Sequence, residues 1–304
     1  MSETIYTASP SPHIRSNITV KTIMRDVIIA LMPALIVGIY FFKMNAVLVI
    51  LTSVVSSVFA EWLWEKLTHK RITIGDLSAV VTGLLLAFNL PPTIPLWMVI
   101  VGAFFSIIVV KQFFGGIGQN FVNPALAGRA FLLASYSTAM TKWTVDGVTT
   151  ATPLAILKTG KGTLPPITDL LIGNIGGCIG EISAIAILIG AAYLFYKKII
   201  SWEIPVTYIG TVLILTLLFG RNGFYEIFAG GLMLGVFFMA TDYTTSPVTS
   251  KGKIIFGIGC GILTAVIRRF GPNPEGVSYS ILIMNLFVPL IDRKTAPRIF
   301  GEVK

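Results

Sequence analysis

Ten stretches of apolar residues dominate this chain, each long enough, or nearly so, to cross a lipid bilayer. They lie at 22–42, 45–64, 78–91, 96–114, 123–139, 177–196, 204–219, 225–241, 254–268 and 278–291. Lipid offers no hydrogen-bond partners, so the backbone there has to satisfy itself as helix. Several runs fall short of the ~20 residues of a full span. They are interrupted by Gly or Pro, the pattern of broken or tilted helices around a buried site. Pro33 marks the first run, and Asp26 lies in its first turn. Charged residues make up 12% of the 304, against 54% hydrophobic; an ordinary soluble domain has about 25% charged residues. Such a chain cannot cover a globular surface with charge. The expected fold is an all-α polytopic membrane protein with about ten transmembrane helices.

The net charge of +9 does not point to nucleic acid. The basic residues form no patch with interleaved aromatics and sit instead in short connections between apolar runs. With a cytoplasmic N-terminus, 15 of the 23 Lys and Arg fall in inside segments and 7 outside, while Arg129 lies within a span. That bias places both termini in the cytoplasm. The chain then divides into a tail (1–21), a first membrane half (22–139), an extracytoplasmic loop (140–176), a second half (177–292) and a tail (293–304). No cleavable signal peptide is visible, so the first segment should remain as a tail. A loop of more than 30 residues in so compact a chain is usually functional. Gly83-Leu84-Leu85-Leu86-Ala87, with the following Trp97–Lys111 run, loosely matches Gly231-Leu232-Met233-Leu234-Gly235 with Ile254–Arg269. Five spans per half make this an inverted repeat, which puts a site near the midplane.

Four segments could carry chemistry. In Asp146-Gly147-Val148-Thr149-Thr150-Ala151-Thr152-Pro153-Leu154, Pro153 biases Thr152 toward extended backbone, which holds its hydroxyl away from the chain. A polar turn is the plainer reading. In Gly115-Gly116-Ile117-Gly118-Gln119-Asn120-Phe121-Val122-Asn123-Pro124-Ala125, three glycines permit close approach of a ligand or helix. Asn120 and Asn123 bring amides to the membrane boundary, either for a ligand or to cap backbone groups. No strand precedes it, so a dinucleotide-binding turn is excluded. In Ala240-Thr241-Asp242-Tyr243-Thr244-Thr245-Ser246-Pro247, Asp242 ends a span. Glu61, Asp26 and Asp292 also lie near span ends, where a carboxylate is either functional or reaches interfacial water. The fourth is Ser9-Pro10-Ser11-Pro12-His13-Ile14. His13 and His69 both lie off the spans, which argues against an integral haem protein. Cys178 and Cys260 lack CxxC partners, so no four-thiolate metal site can be built within the chain. They read as small buried side chains. No catalytic triad is visible, and no metal site is expected.

Taken together and in order, these motifs resemble the family formed by the D subunit of the Rnf electron-transport complex. That family is similar to the B subunit of the sodium-pumping NADH:quinone reductase. The resemblance rests on the Ser-Pro-His start, the Gly-Gly-x-Gly-Gln-Asn-x-x-Asn-Pro-Ala segment, the Thr-x-Ala-Thr-Pro-Leu loop, the Ala-Thr-Asp segment and the closing Val288-Pro289-Leu290-Ile291-Asp292. It implies FMN joined by a phosphoester to Thr152, the last residue of a Ser/Thr-x-Ala-Thr motif that begins at Thr149, attached by a separate flavin transferase. It implies a second, non-covalent riboflavin, which we place near Asn120 and Asn123, and ion coupling at Asp242 and Glu61. It implies a bacterial or archaeal inner-membrane complex that couples electron flow between ferredoxin and NAD to Na⁺ or H⁺ translocation. The implied partners are a flavin-bearing subunit at the outer face and membrane subunits with an iron–sulfur centre. The outside loop is short for the family. Two other classes remain open from the residues alone: a channel or secondary transporter for a small polar solute, and a structural membrane anchor. Neither needs the Thr-x-Ala-Thr loop.

Overall fold

The computed structural model describes residues 18–145, 148–149, 152–159, 163–173, 175–271 and 275–297. The Ser-Pro-His segment, with His13, and residues Asp146, Gly147, Thr150 and Ala151 of the Thr-rich loop lie outside the described residues. Helix α1 (Val20–Leu67) opens on a capping box, with the Thr19 and Thr22 side chains and backbones bonding reciprocally. Unbroken, its 48 residues would run roughly 72 Å, more than twice the ~30 Å hydrocarbon core. Lys43, at φ 52° and ψ −135°, breaks it between the first two apolar runs. A 3₁₀ turn (Ile74–Asp76) leads to α2 (Ser78–Phe88). Helix α3 (Leu96–Phe104) passes into a π-helical stretch, Phe105–Gln112. Helices α4 (Pro124–Ser135) and α5 (Ser137–Met140) follow.

The long loop holds more order than the sequence suggested. A minimal antiparallel pair, β1 (Thr144–Val145) and β2 (Val148–Thr149), precedes two short helices, α6 (Pro153–Thr159) and α7 (Ile167–Ile172). Apart from this minimal hairpin the regular structure of the described residues is helical, as expected. The hairpin's sequence signal was an Asp-Gly pair between β-prone residues.

The second half comprises α8 (Ala184–Tyr196), α9 (Glu203–Leu218), α10 (Gly223–Phe228) and α11 (Leu232–Leu234). Helix α11 runs into a second π-helical stretch, Gly235–Met239. Helices α12 (Ser250–Phe270) and α13 (Val277–Thr295) end the described chain. Every one of the ten apolar runs contains helix. The sixth is helical only from Ala184, because its first residues pair otherwise. Ile179 N donates to Leu90 O (3.2 Å) and Gly180 N to Phe88 O (3.0 Å). Irregular backbone is thus satisfied inside protein, as membrane depth requires. Gly180 has no room for a methyl, since a Cβ there would enter the Phe88 ring.

Two helices, α1 and α12, are long and apolar enough to cross a membrane. Shorter apolar helices are α2, the Leu96–Gln112 unit, α8 and α9. Large apolar side chains face outward along them, such as Tyr40, Val55 and Leu218 at 76%, 63% and 73% exposure. A soluble fold would bury that surface; lipid accepts it. Inside, α1 packs on α2, α3 and α8, and α9 packs on α12. Helices α4 and α13 run antiparallel: Asn123 meets Asn285 while Arg129 meets Ser278.

Close approach depends on glycine where backbones meet. A Cβ on Gly190 would strike the carbonyl oxygen of Ala30, whereas nothing lies within 4 Å of one on Gly210. Gly190→Ala should therefore lower stability by about 1–3 kcal/mol, read as thermal unfolding in detergent. Gly210→Ala should leave it unchanged or slightly raised.

Candidate functional site

A cavity of about 780 Å³, including its mouth, opens between the two halves. Phe237, Phe238, Leu85 and Leu194 supply apolar walls, and Asn120, Asn123, Asp242 and Thr244 add polar edges. Both π-helical stretches reach it, one through Lys111 and the other through Phe237 and Phe238. Such insertions in helices recur at functional sites.

The polar edge is tightly tied. Asn120 Nδ2 donates to Val122 O and Thr244 Oγ1, each at 3.1 Å. Asn123 caps α4, accepting from Ala125 N (3.1 Å) and Leu126 N (3.2 Å), and its amide donates to Met239 O (3.4 Å). Asn285 accepts from Asn123 N (3.2 Å) and donates to Thr245 O (2.7 Å). Asp242 accepts from Thr244 Oγ1 (2.9 Å) and Thr245 Oγ1 (3.3 Å). The capping role weighed for the Asn pair is thus present at Asn123, and the same residue also lines the cavity.

Glu61 is fully buried and does not line the cavity. It accepts from Lys111 Nζ (2.6 Å) and Gln112 Nε2 (2.7 Å) at the same oxygen. Lys111 is the link, standing both on the cavity wall and against Glu61.

Thr152 lies elsewhere, in a cleft with Pro153, Gly176, Gly177, Glu181, Gly230 and Glu275 that shares no residue with the cavity. Its hydroxyl accepts from Ala155 N (3.2 Å) at the head of α6, and the residue is 8% exposed. Beside it stands Arg129, donating to Glu181 (3.3 Å), Asn89 Oδ1 (3.0 Å), Ser278 Oγ (2.9 Å) and Glu275. Cys178 Sγ, Glu181 and Glu275 gather within 4.8 Å of one another; Arg129 already pairs both carboxylates. Cys178 and Cys260 are buried, as read from the sequence, and Cys178 Sγ also contacts Asn89 O (3.2 Å).

A polar thread joins the two places. Arg129 holds Asn89; Asn89 Nδ2 donates to Leu85 O (2.7 Å) and approaches Met239 Sδ (3.6 Å). Leu85 lines the cavity, and Met239 O takes the Asn123 amide. The structure therefore gathers Asn120, Asn123 and Asp242, reaches Glu61 through Lys111, and sets Thr152 apart at the far end of this thread. Asp26 and Asp292 instead tie elements together, accepting from Tyr193 Oη (3.1 Å) and Val248 N (3.1 Å). His69 sits exposed in a turn at φ 55°. Sequence reasoning missed Glu181, Glu275, Asn89, Asn285 and Lys111. Glu181 could have been found: a carboxylate inside an apolar run is a functional hypothesis by default.

The model of the NQR2, RnfD, RnfE family matches residues 7–301. The chain is 55% identical to the D subunit of the Na⁺-translocating ferredoxin:NAD⁺ oxidoreductase complex of Acetobacterium woodii, over 100% of this chain and 98% of that one. It is 47% identical to the D subunit of the proton-translocating ferredoxin:NAD⁺ oxidoreductase complex of Clostridium ljungdahlii, over 98% and 96%. It is 36% identical to the D subunit of the ion-translocating oxidoreductase complex of Methanosarcina acetivorans, over 99% of each.

Arg129→Met would leave buried Glu181 and half-buried Glu275 without their cation. Losing one partner of a buried pair costs about 3–5 kcal/mol. Thermal unfolding in detergent should drop accordingly, and the double variant Arg129→Met/Glu181→Gln should recover part of the loss.

Proposed function

The chain belongs to the NQR2, RnfD, RnfE family, and from that premise we propose that it is the membrane subunit of an Rnf-type complex, an ion-translocating ferredoxin:NAD⁺ oxidoreductase. In this reading it holds FMN covalently on Thr152 and riboflavin in the Asn120–Asn123 cavity. The high identity over full length to the D subunits of such complexes supports the role in the assembly. One observation carries the cofactor reading: an apolar and aromatic cavity with a polar edge, joined by buried hydrogen bonds to the cleft of Thr152.

The residues fit a flavin at each place. A planar ring with one hydrogen-bonding edge suits walls of Phe237, Phe238 and Leu85 facing the amides and Thr244. At Thr152, Gly176, Gly177 and Gly230 share the lining of the cleft with Pro153 and the carboxylates of Glu181 and Glu275. A bound flavin supplies one- and two-electron chemistry; the protein supplies position, electrostatics and exclusion of water. Asn123 and Asn285 fix the cavity edge through α4 and α13. Arg129 offsets the acids beside Thr152. Asp242, on the cavity wall, and Glu61, one residue behind it, are the groups whose cation affinity would respond to charge in the cavity. The cation is Na⁺ or H⁺.

The membrane layout follows the same reading: ten spans in two inverted five-helix halves, with both termini cytoplasmic and 140–176 outside. The packing of α1 on α8, which open the two halves, and of α4 antiparallel to α13 supports it. The outer flavin-bearing subunit, the iron–sulfur membrane subunits and the flavin transferase belong to this proposal.

After coexpression with the flavin transferase, the denatured wild-type band should fluoresce on a gel and Thr152→Ala should not; fluorescence of both places the attachment elsewhere. In the intact complex, Asp242→Asn should retain its flavins yet move fewer ions per electron. Unchanged pumping rules Asp242 out of the coupling.

A further inference from the structure

Lys111 is the only cation among the described residues that line the cavity, and Asp242 the only acid. Lys111 is 3% exposed, and its ammonium is held 2.6 Å from Glu61 Oε1 and 2.6 Å from Ser78 Oγ. Ser78 lines the cavity too, and its hydroxyl donates to Asp76 Oδ1 (2.6 Å). Glu61 is bonded lopsidedly. Its Oε1 takes both Lys111 and Gln112, while Oε2 has no partner despite full burial. An acceptor left bare inside protein is costly and marks an oxygen available to a further cation. Glu65, one helical turn along α1, and half-exposed Asp76 extend the acidic file toward the surface. Lys111 itself sits in a π-helical stretch at the end of a flexible four-carbon stem.

We infer that Lys111 is a built-in competing cation: it occupies Glu61 in this state and swings toward negative charge in the cavity, which frees Glu61 to take a translocated monovalent cation. This rests on the reading of the cavity as a flavin site. The charges balance. One electron delivered by the complex's one-electron donor adds one negative charge to the cavity, which Lys111 then faces. Glu61 keeps Gln112 on Oε1 and gains one Na⁺ or H⁺ at Oε2, the oxygen without a partner. When the electron leaves for the next acceptor, Lys111 returns to Glu61 and displaces the cation. No bond to the cofactor forms or breaks.

Redox titration of the non-covalent flavin in the purified, matured complex tests this. Lys111→Gln removes the compensating charge and should shift the midpoint to more negative potential. Glu61→Gln releases Lys111 to the cavity and should shift it to more positive potential. Lys111→Arg should stay near wild type. Should Lys111→Gln fail to assemble, the double variant Glu61→Gln/Lys111→Gln, which leaves neither charge buried alone, should titrate at more negative potential than Glu61→Gln. Fixed charges alone would shift the two variants in the same opposed directions, so the ion dependence decides. The wild-type midpoint should rise with Na⁺ concentration or with falling pH, and Glu61→Gln should lose that dependence. A wild-type midpoint insensitive to both, or an unchanged dependence in Glu61→Gln, overturns the inference alone. A wild-type complex without non-covalent flavin overturns the cavity reading and this inference together.

Discussion

The interior of this molecule depends most on one of its buried cations, Arg129. Nothing at membrane depth can hydrate a guanidinium, so every donor it cannot place within the chain costs free energy. Its terminal nitrogens reach four separate places: the end of α2 through Asn89, the irregular stretch before α8 through Glu181, the start of α13 through Ser278, and Glu275 beside it. Helix α4 supplies the arginine itself. Segments from both halves of the chain are therefore pinned to one charge, and their register cannot slip without stranding an ion. The acids it neutralises are the same ones that flank Thr152.

Close helix contact and local distortion do the rest. Gly190 lets α8 reach the backbone of α1, and Gly128 sits where a Cβ would strike the Ser106 hydroxyl. The two π-helical stretches turn Lys111, Phe237 and Phe238 toward one space. The cavity is thus a product of broken helical register, held open by polar ties between Asn123, Asn285, Thr245 and Asp242 that span α4, α13 and the 240–249 segment. Position and charge, rather than reactive side chains, are what this chain would offer to the flavins proposed for it.

What the sequence made legible was local. Apolar runs placed the helices, and the gap between 42 and 45 anticipated the break at Lys43. Asn120, Asn123 and Asp242 stood out as polar groups at run ends, and they converge. What stayed hidden was pairwise and distant. Nothing in the order of residues says that Lys111 meets Glu61 across fifty positions, or that Arg129 meets Glu275. The runs at 78–91 and 177–196 also fray where sequence hydropathy stays high, since Phe88, Leu90, Ile179 and Gly180 exchange backbone bonds across the halves. Hydropathy reports where a segment lies and is silent on which neighbour satisfies it.

The central claim is that one chain holds two flavins, one at each end of the thread through Arg129 and Asn89. Mass spectrometry of the purified, matured protein tests it directly, with the denatured supernatant and the digested protein measured separately. Two flavins predict riboflavin released into the supernatant and an FMN-sized increment on the peptide containing Thr152. Free FMN with an unmodified Thr152 peptide, or no flavin in either fraction, would contradict the claim.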